Sequence, residues 1–192
     1  MSEREPVVVE ATRRRLSAKQ ADTVDKLTKA AVEVLAREGF AGMTIRMVAA
    51  AAGVGTATAY TYFSSKEHLV AEIFWRRLMA APSPVSDDPD PVVRVVAELR
   101  AIAMLVADEQ AVSGAVTSAM LGRDPDVAHL RARIGSEIRT RIVRALGPDP
   151  DPDVVTALEL LYAGALVRAG MGYASYADIA DLIEKSALMI LR

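Results

Sequence analysis

MTIRMVAAAAGVGTATAYTYFSSKEHL, residues 43–69, is crowded with small side chains in its middle and closes on two tyrosines, a phenylalanine and a lysine. Thr44 is placed to cap a short helix over about 45–51, its hydroxyl accepting from a free N–H of the first turn. AAGVG then gives a helix end, a tight turn and a new start. Gly53 suits the positive-φ position after a helix, and Val54 is the apolar residue that anchors the turn inward. A second short helix follows over about 56–61. Two short helices joined by a glycine-containing turn of about three or four residues make a helix-turn-helix. Helices this short are marginal in water by themselves. They need a partner, and the preceding segment supplies one. Val24, Leu27, Ala31, Val34 and Leu35 fall on one stripe of a helix over about 18–38 that ends at Gly39. Ile45, Val48 and Phe63 complete that small core.

The chemistry of the stretch suits a polyanion. The second short helix presents Thr56, Ala57 and Thr58 at its N-terminal end, where free N–H groups and the helix dipole favour phosphate. Small residues let the backbone approach closely. Threonine offers a hydroxyl to phosphate or base edges and a methyl to the thymine methyl. Tyr60 and Tyr62 bring hydroxyls, and Lys66 brings charge at the next helix start. Arg46, in the first turn of the preceding helix, points to the same side.

Residues 24–69 resemble the DNA-binding domain of the tetracycline-repressor (TetR) family of bacterial transcriptional regulators. The resemblance rests on REGF (37–40), TIR (44–46), AGV (52–54), YTYF (60–63) and SKEHL (65–69) at the family's spacing. It implies phosphate contacts from Thr44, Tyr60 and Lys66, and base or nearby backbone contacts from Arg46, Thr56, Ala57 and Thr58. Tyr62 matches a Tyr/His position that often reaches DNA. Two positions depart from the pattern. Gly55 stands where many members carry a capping serine, and Ala59 stands where many carry leucine, which implies a looser recognition helix. The resemblance further implies an all-α, nine-helix fold in two domains. Residues 1–16 would form a basic arm carrying Arg13, Arg14 and Arg15, residues 17–64 the helix-turn-helix domain, and residues 65–192 a ligand-binding and dimerisation domain.

Bulk properties agree with a helical globular protein. The 192 residues are 52% hydrophobic and 25% charged, enough for a substantial core. There is no cysteine, which excludes disulfide scaffolds and thiolate metal sites. No stretch of about 18 to 20 residues is apolar enough to span a membrane, and the N-terminus does not read as a signal peptide. Residues 1–66 hold ten Lys/Arg against seven Asp/Glu, and the remainder thirteen against eighteen. A mildly basic front and an acidic back suit two jobs in one chain. A cytoplasmic protein is expected, with no cofactor and no metal.

Helix starts are legible throughout. Ser17 to Gln20 and Ser64 to Glu67 fit capping boxes. Asp90-Pro91, Asp124-Pro125 and Asp151-Pro152 pair an N-cap with a proline at the first helical position, where the missing N–H costs nothing. These marks give later helices over about 65–80, 91–107, 109–121, 125–146, 152–173 and 177–191. The helix over 152–173 is apolar nearly all round and must be buried or face a partner. With the last helix it would form a twofold four-helix dimer interface, expected to use Leu158, Leu161, Ala165, Ala169, Ile179, Leu182, Ile183 and Ile190. An inducer pocket is expected among Trp75, Leu78, Met79, Leu99, Met104, Met120, Tyr162 and Met171. The apparent scarcity of charge at buried positions favours an apolar inducer. His68 and His129 match no metal or triad spacing and read as surface residues, so no enzyme is expected. The expected function is a repressor that binds a palindromic double-stranded DNA operator as a homodimer and releases it on binding a small molecule. The alternative is a helical interaction adaptor that kept the fold without DNA binding.

Overall fold

The computed structural model describes residues 17–84 and 88–192, excluding the side chains of Tyr176 and Ala177. The basic arm with Arg13, Arg14 and Arg15 lies outside the described residues. Among those described there are nine helices and no strands. They are α1 (Ala18–Gly42), α2 (Ile45–Ala51), α3 (Thr56–Tyr62), α4 (Lys66–Ala80), α5 (Pro91–Met104), α6 (Gln110–Leu121), α7 (Pro125–Leu146), α8 (Pro152–Gly170) and α9 (Tyr176–Ile190).

The caps set most of these boundaries. Ser17 and Gln20 form a reciprocal box at the start of α1. Asp90, Asp124 and Asp151 each accept a backbone N–H while proline takes the first helical position. Each such cap is worth about 1 kcal/mol. The start of α4 differs from the expected Ser64 box. Ser65 is the cap and accepts from the His68 N–H at 3.0 Å. A further box, Ser175 with Asp178, opens α9. The regular part of α1 breaks at Gly39, which takes φ 67°, before one more turn reaches Gly42. Helix α5 stops at Met104, short of the expected boundary, and residues 105–108 turn the chain into α6.

Helix α1 packs on α2, α4 and α6, and α2 packs on α3. The whole predicted α1 stripe is buried, together with Ile45, Val48 and Phe63. Helix α4 runs from this unit into the body and packs on α6 and α7, while α5 packs on α7 and α9 and α8 on α9. The far end of α4 is clamped. Arg141 of α7 donates to the Leu78 carbonyl at 2.6 Å and the Ala81 carbonyl at 3.2 Å. The same guanidinium pairs with Glu98 of α5 at 3.3 Å and Glu137 at 2.9 Å. Nearer the start of α6, Arg77 pairs with Glu109 at 2.7 Å. Helices α6 and α8 cross closely because Gly170 has no side chain: a Cβ there would lie 2.3 Å from Thr117.

Candidate nucleic-acid interface and regulatory body

The turn between α2 and α3 is built as its residues dictate. Gly53 takes φ 64°, its N–H donates to the Ala50 carbonyl, and the Val54 N–H donates to Ala49. Thr44 caps α2 by accepting from the Met47 N–H at 3.2 Å. Gly55 caps α3 with no side-chain bond. Of α3, Ala59 is wholly buried, as is the following Phe63. Thr44, Arg46, Gly55, Ala57, Thr58 and Tyr60 are exposed, and Thr56 and Tyr62 are half-buried. The small Ala59 is the α3 residue that turns into the core. Lys66 occupies an unforeseen place. Its Nζ donates to the Phe40 carbonyl at 2.8 Å and the Ala41 carbonyl at 3.2 Å. A lysine meeting the last carbonyls of a helix is a known end-cap, but the helix it caps is distant in sequence, so spacing gave no sign of it.

His68, read as a surface residue, is half-buried with its ring 5.6 Å from Phe63, edge to face. Burial lowers its pKa, against the attraction of Asp126 and Asp124 across the α7 start. His129 is exposed, as expected.

Charge is less scarce inside the body than the sequence suggested. Glu72, Glu98 and Arg141 are all buried. Burial pushes the Glu72 carboxyl up to about 7, opposed by Arg76 and Arg133. Arg76 donates to it at 2.9 Å, and Arg133 lies 4.6 Å over the Trp75 ring. A cavity of about 550 Å³ opens between the start of α6 and the end of α8, lined by small residues including Ser113, Gly114, Gly170 and Ser175.

Residues 27–73 match the family described as bacterial regulatory proteins, tetR family. An uncharacterised HTH-type transcriptional regulator of Mycobacterium tuberculosis is 43% identical over 175 residues, covering 90% of this chain and 82% of the relative. The Mycobacterium bovis counterpart matches equally. The chain belongs to the TetR family. It is a transcriptional regulator with a DNA-binding helix-turn-helix. Solved structures agree on the fold. A TetR regulator from Rhodococcus superposes with a TM-score of 0.74 at 22% identity, covering 91% of this chain and 98% of the other. FadR of Bacillus subtilis, solved with stearoyl-CoA, gives a TM-score of 0.64 at 13% identity, covering 88% and 99%.

The body of this TetR-family chain redistributes the expected pocket residues. Trp75, Leu78, Leu99 and Tyr162 are buried, and Met79 and Met120 half-buried. Met104 and Met171 instead face solvent. None of the eight lines the α6–α8 cavity. Most of the expected dimer residues turn inward. Leu158, Ala165, Ala169, Ile179 and Ile183 are buried within the one chain, and Leu161 and Ile190 are half-buried. Of the eight only Leu182 is exposed. The apolar face left open is the other one: Leu160, Ala163, Gly164, Met171 and Tyr173, with Leu182 and Met189 on α9. Both faces of α8 are apolar, and periodicity cannot say which faces the chain's own core.

Proposed function

We propose that this TetR-family regulator is a cytoplasmic homodimeric repressor that binds a palindromic double-stranded DNA operator and releases it on binding a small molecule. One observation carries the reading. Thr44, Arg46, Ala57, Thr58 and Tyr60 stand exposed together on α2 and α3, while Ala59 and Phe63 fix α3 to the core from behind. That leaves a polar face on a short helix backed by the core, suited to the major groove. In this reading Thr44, Tyr60 and Tyr62 contact backbone phosphates, and Arg46, Thr56, Ala57 and Thr58 with Gly55 lie against base edges or the nearby backbone. Lys66 contributes to the phosphate field while closing α1. Residues 17–64 act as the DNA-binding unit and 65–192 as the regulatory and dimerisation unit.

The dimer uses the exposed face of α8 and α9, an apolar stripe at helical spacing of a kind that monomers seldom leave open. The ligand has a largely apolar body. The fold's likeness to a protein solved with stearoyl-CoA supports this. Binding alters the equilibrium only through different affinity for the two states. Helix α4 links the two units, packing on α1 at one side and on α6 and α7 at the other.

Genome-wide footprinting of bound sites tests the reading. Palindromic sites with half-sites about one helical turn apart are expected. Binding to no double-stranded DNA above a salt-screened background would replace the repressor with the interaction-adaptor alternative.

A further inference from the structure

Glu72 and Trp75 stand one turn apart on α4 and are closed off from solvent, at 0% and 5% exposure. Residues three apart on a helix share a face. Arg133 of α7 meets both, since its guanidinium lies 4.6 Å over the Trp75 ring and its charge acts on the Glu72 carboxyl. Glu72 Oε1 accepts from Arg76. Glu72 Oε2 and Trp75 Nε1 are buried and have no hydrogen-bond partner among the described residues. Buried polar atoms are nearly always hydrogen-bonded, and one acceptor and one donor left over on the same helix face call for an explanation.

We propose that Glu72 and Trp75 are the polar anchor of the ligand site in this regulatory body, and that they hold a neutral hydroxyl on an otherwise apolar molecule. The inference rests on the ligand-responsive reading above. A hydroxyl donates one proton and accepts through its lone pairs, so it carries the complement of both Oε2 and Nε1. An ammonium has no lone pair for the indole and would face the Arg76 and Arg133 guanidiniums. A carboxylate would accept from the indole but bring like charge against Glu72. A plain hydrocarbon leaves both atoms unpaired. The Glu72 carboxyl is already bonded by Arg76 and faces the charge of Arg133, so it does not require a further cation for charge balance.

Trp75 is the chain's only tryptophan, so its emission reads this site directly. The full chain is titrated with 1-octanol, and in parallel with octane, octanoate and octylamine. Emission and melting temperature are both followed. A saturable response to 1-octanol, stronger than to the other three, is expected. Trp75→Phe keeps a ring and removes the N–H; followed by melting temperature, it should weaken 1-octanol binding about five- to tenfold, the loss of one net hydrogen bond. Glu72→Leu should do the same, and Glu72→Gln, which keeps an acceptor, should stay within about threefold of the parent. If Glu72→Leu fails to fold, Trp75→Phe and Glu72→Gln decide.

Absence of a saturable response to 1-octanol overturns the proposal. So does equal or tighter binding of octane or a charged analogue, or unchanged affinity in Trp75→Phe and Glu72→Leu. Gly114→Leu reaches into the α6–α8 cavity, where an added Cβ meets nothing within 4 Å. If it abolishes binding while Glu72→Leu does not, the molecule sits in that cavity and the anchor is wrong. The expected selectivity with no effect on DNA affinity leaves the anchor standing and overturns the ligand-responsive reading instead.

Discussion

Lys66 Nζ donates to the Phe40 carbonyl at 2.8 Å and lies 4.7 Å from the centre of the Phe40 ring, so the first residue of α4 closes the end of α1. One lysine thereby joins the DNA-binding unit to the helix that leads into the body. Lys66→Met keeps the aliphatic stem and removes the ammonium. It should destabilise the fold by about 1–2 kcal/mol, since hydrogen bonds to charged groups are worth somewhat more than neutral ones. A lower urea midpoint with unchanged slope is the expected record. A lysine that only touched phosphate would leave that midpoint in place and alter the salt dependence of DNA binding alone.

Arg46 is exposed and makes no ion pair among the described residues, so Arg46→Ala should change stability by less than about 0.5 kcal/mol. Its effect belongs to DNA. If it meets a base edge, the substitution relaxes sequence preference at one operator position by about 1–3 kcal/mol. If it meets phosphate, affinity falls across all sequences and the salt slope drops by about one. Binding measured against operator variants at several salt concentrations separates the two outcomes.

Ala59 faces the core. It is wholly buried between α3 and the core that holds it, so Ala59→Leu should cost about 1–3 kcal/mol through overpacking, even though leucine is common at the matching family position. A raised thermal midpoint would show that α3 is under-packed after all, as the sequence first suggested.

The helix-turn-helix was legible because its determinants are local. Glycine at a positive-φ turn, threonine at a cap and an alternation of small and aromatic residues each act within a few positions. The stripe of α1 and the Asp-Pro starts were readable for the same reason. What escaped was long-range. Lys66 finds Phe40 across a gap of 26 residues, and Arg141 finds Leu78 across 63. Glu72 looks like a surface residue in KEHLVAEIFWRR until α6 and α7 close over it. On α8, Leu158 and Leu160 are equally apolar in sequence, and only packing decides which turns inward.

The buried Glu72 makes stability depend on pH in a definite direction. Its carboxyl titrates at about 7 in the folded chain against 4.5 for the free group. Between those values the folded state holds the proton that the unfolded state has released. Stability therefore falls as pH rises from 4.5 towards 7, by up to about 3 kcal/mol, and levels off above. Glu72→Gln cannot titrate and should flatten this part of the profile. Chemical denaturation of both proteins at intervals from pH 5 to about 8 is the check. A variant profile parallel to the parent's would show that Glu72 stays ionised through its Arg76 pair, whereas the lowered His68 pKa acts alike on both proteins.

Leu158 and Leu160 lie two positions apart on α8 and should fail in different ways. Leu158 is wholly buried in the chain, whereas Leu160 is 69% exposed. Leu158→Ala opens a cavity and should cost about 2–5 kcal/mol of folding stability. Leu160→Glu removes nothing from the core. It places charge in the middle of the open stripe, with Ala163 and Gly164 one turn further on, so two copies would bring like charges together at a twofold contact. The variant should keep its helical circular dichroism but sediment as a monomer at micromolar concentration, where the parent sediments as a dimer. Its DNA affinity should fall with it, because a monomer engages one half-site at a time and loses the gain from linked binding. If Leu160→Glu remains a dimer while a charge at Leu182 or Met189 breaks it, the contact is centred on α9 and α8 only flanks it.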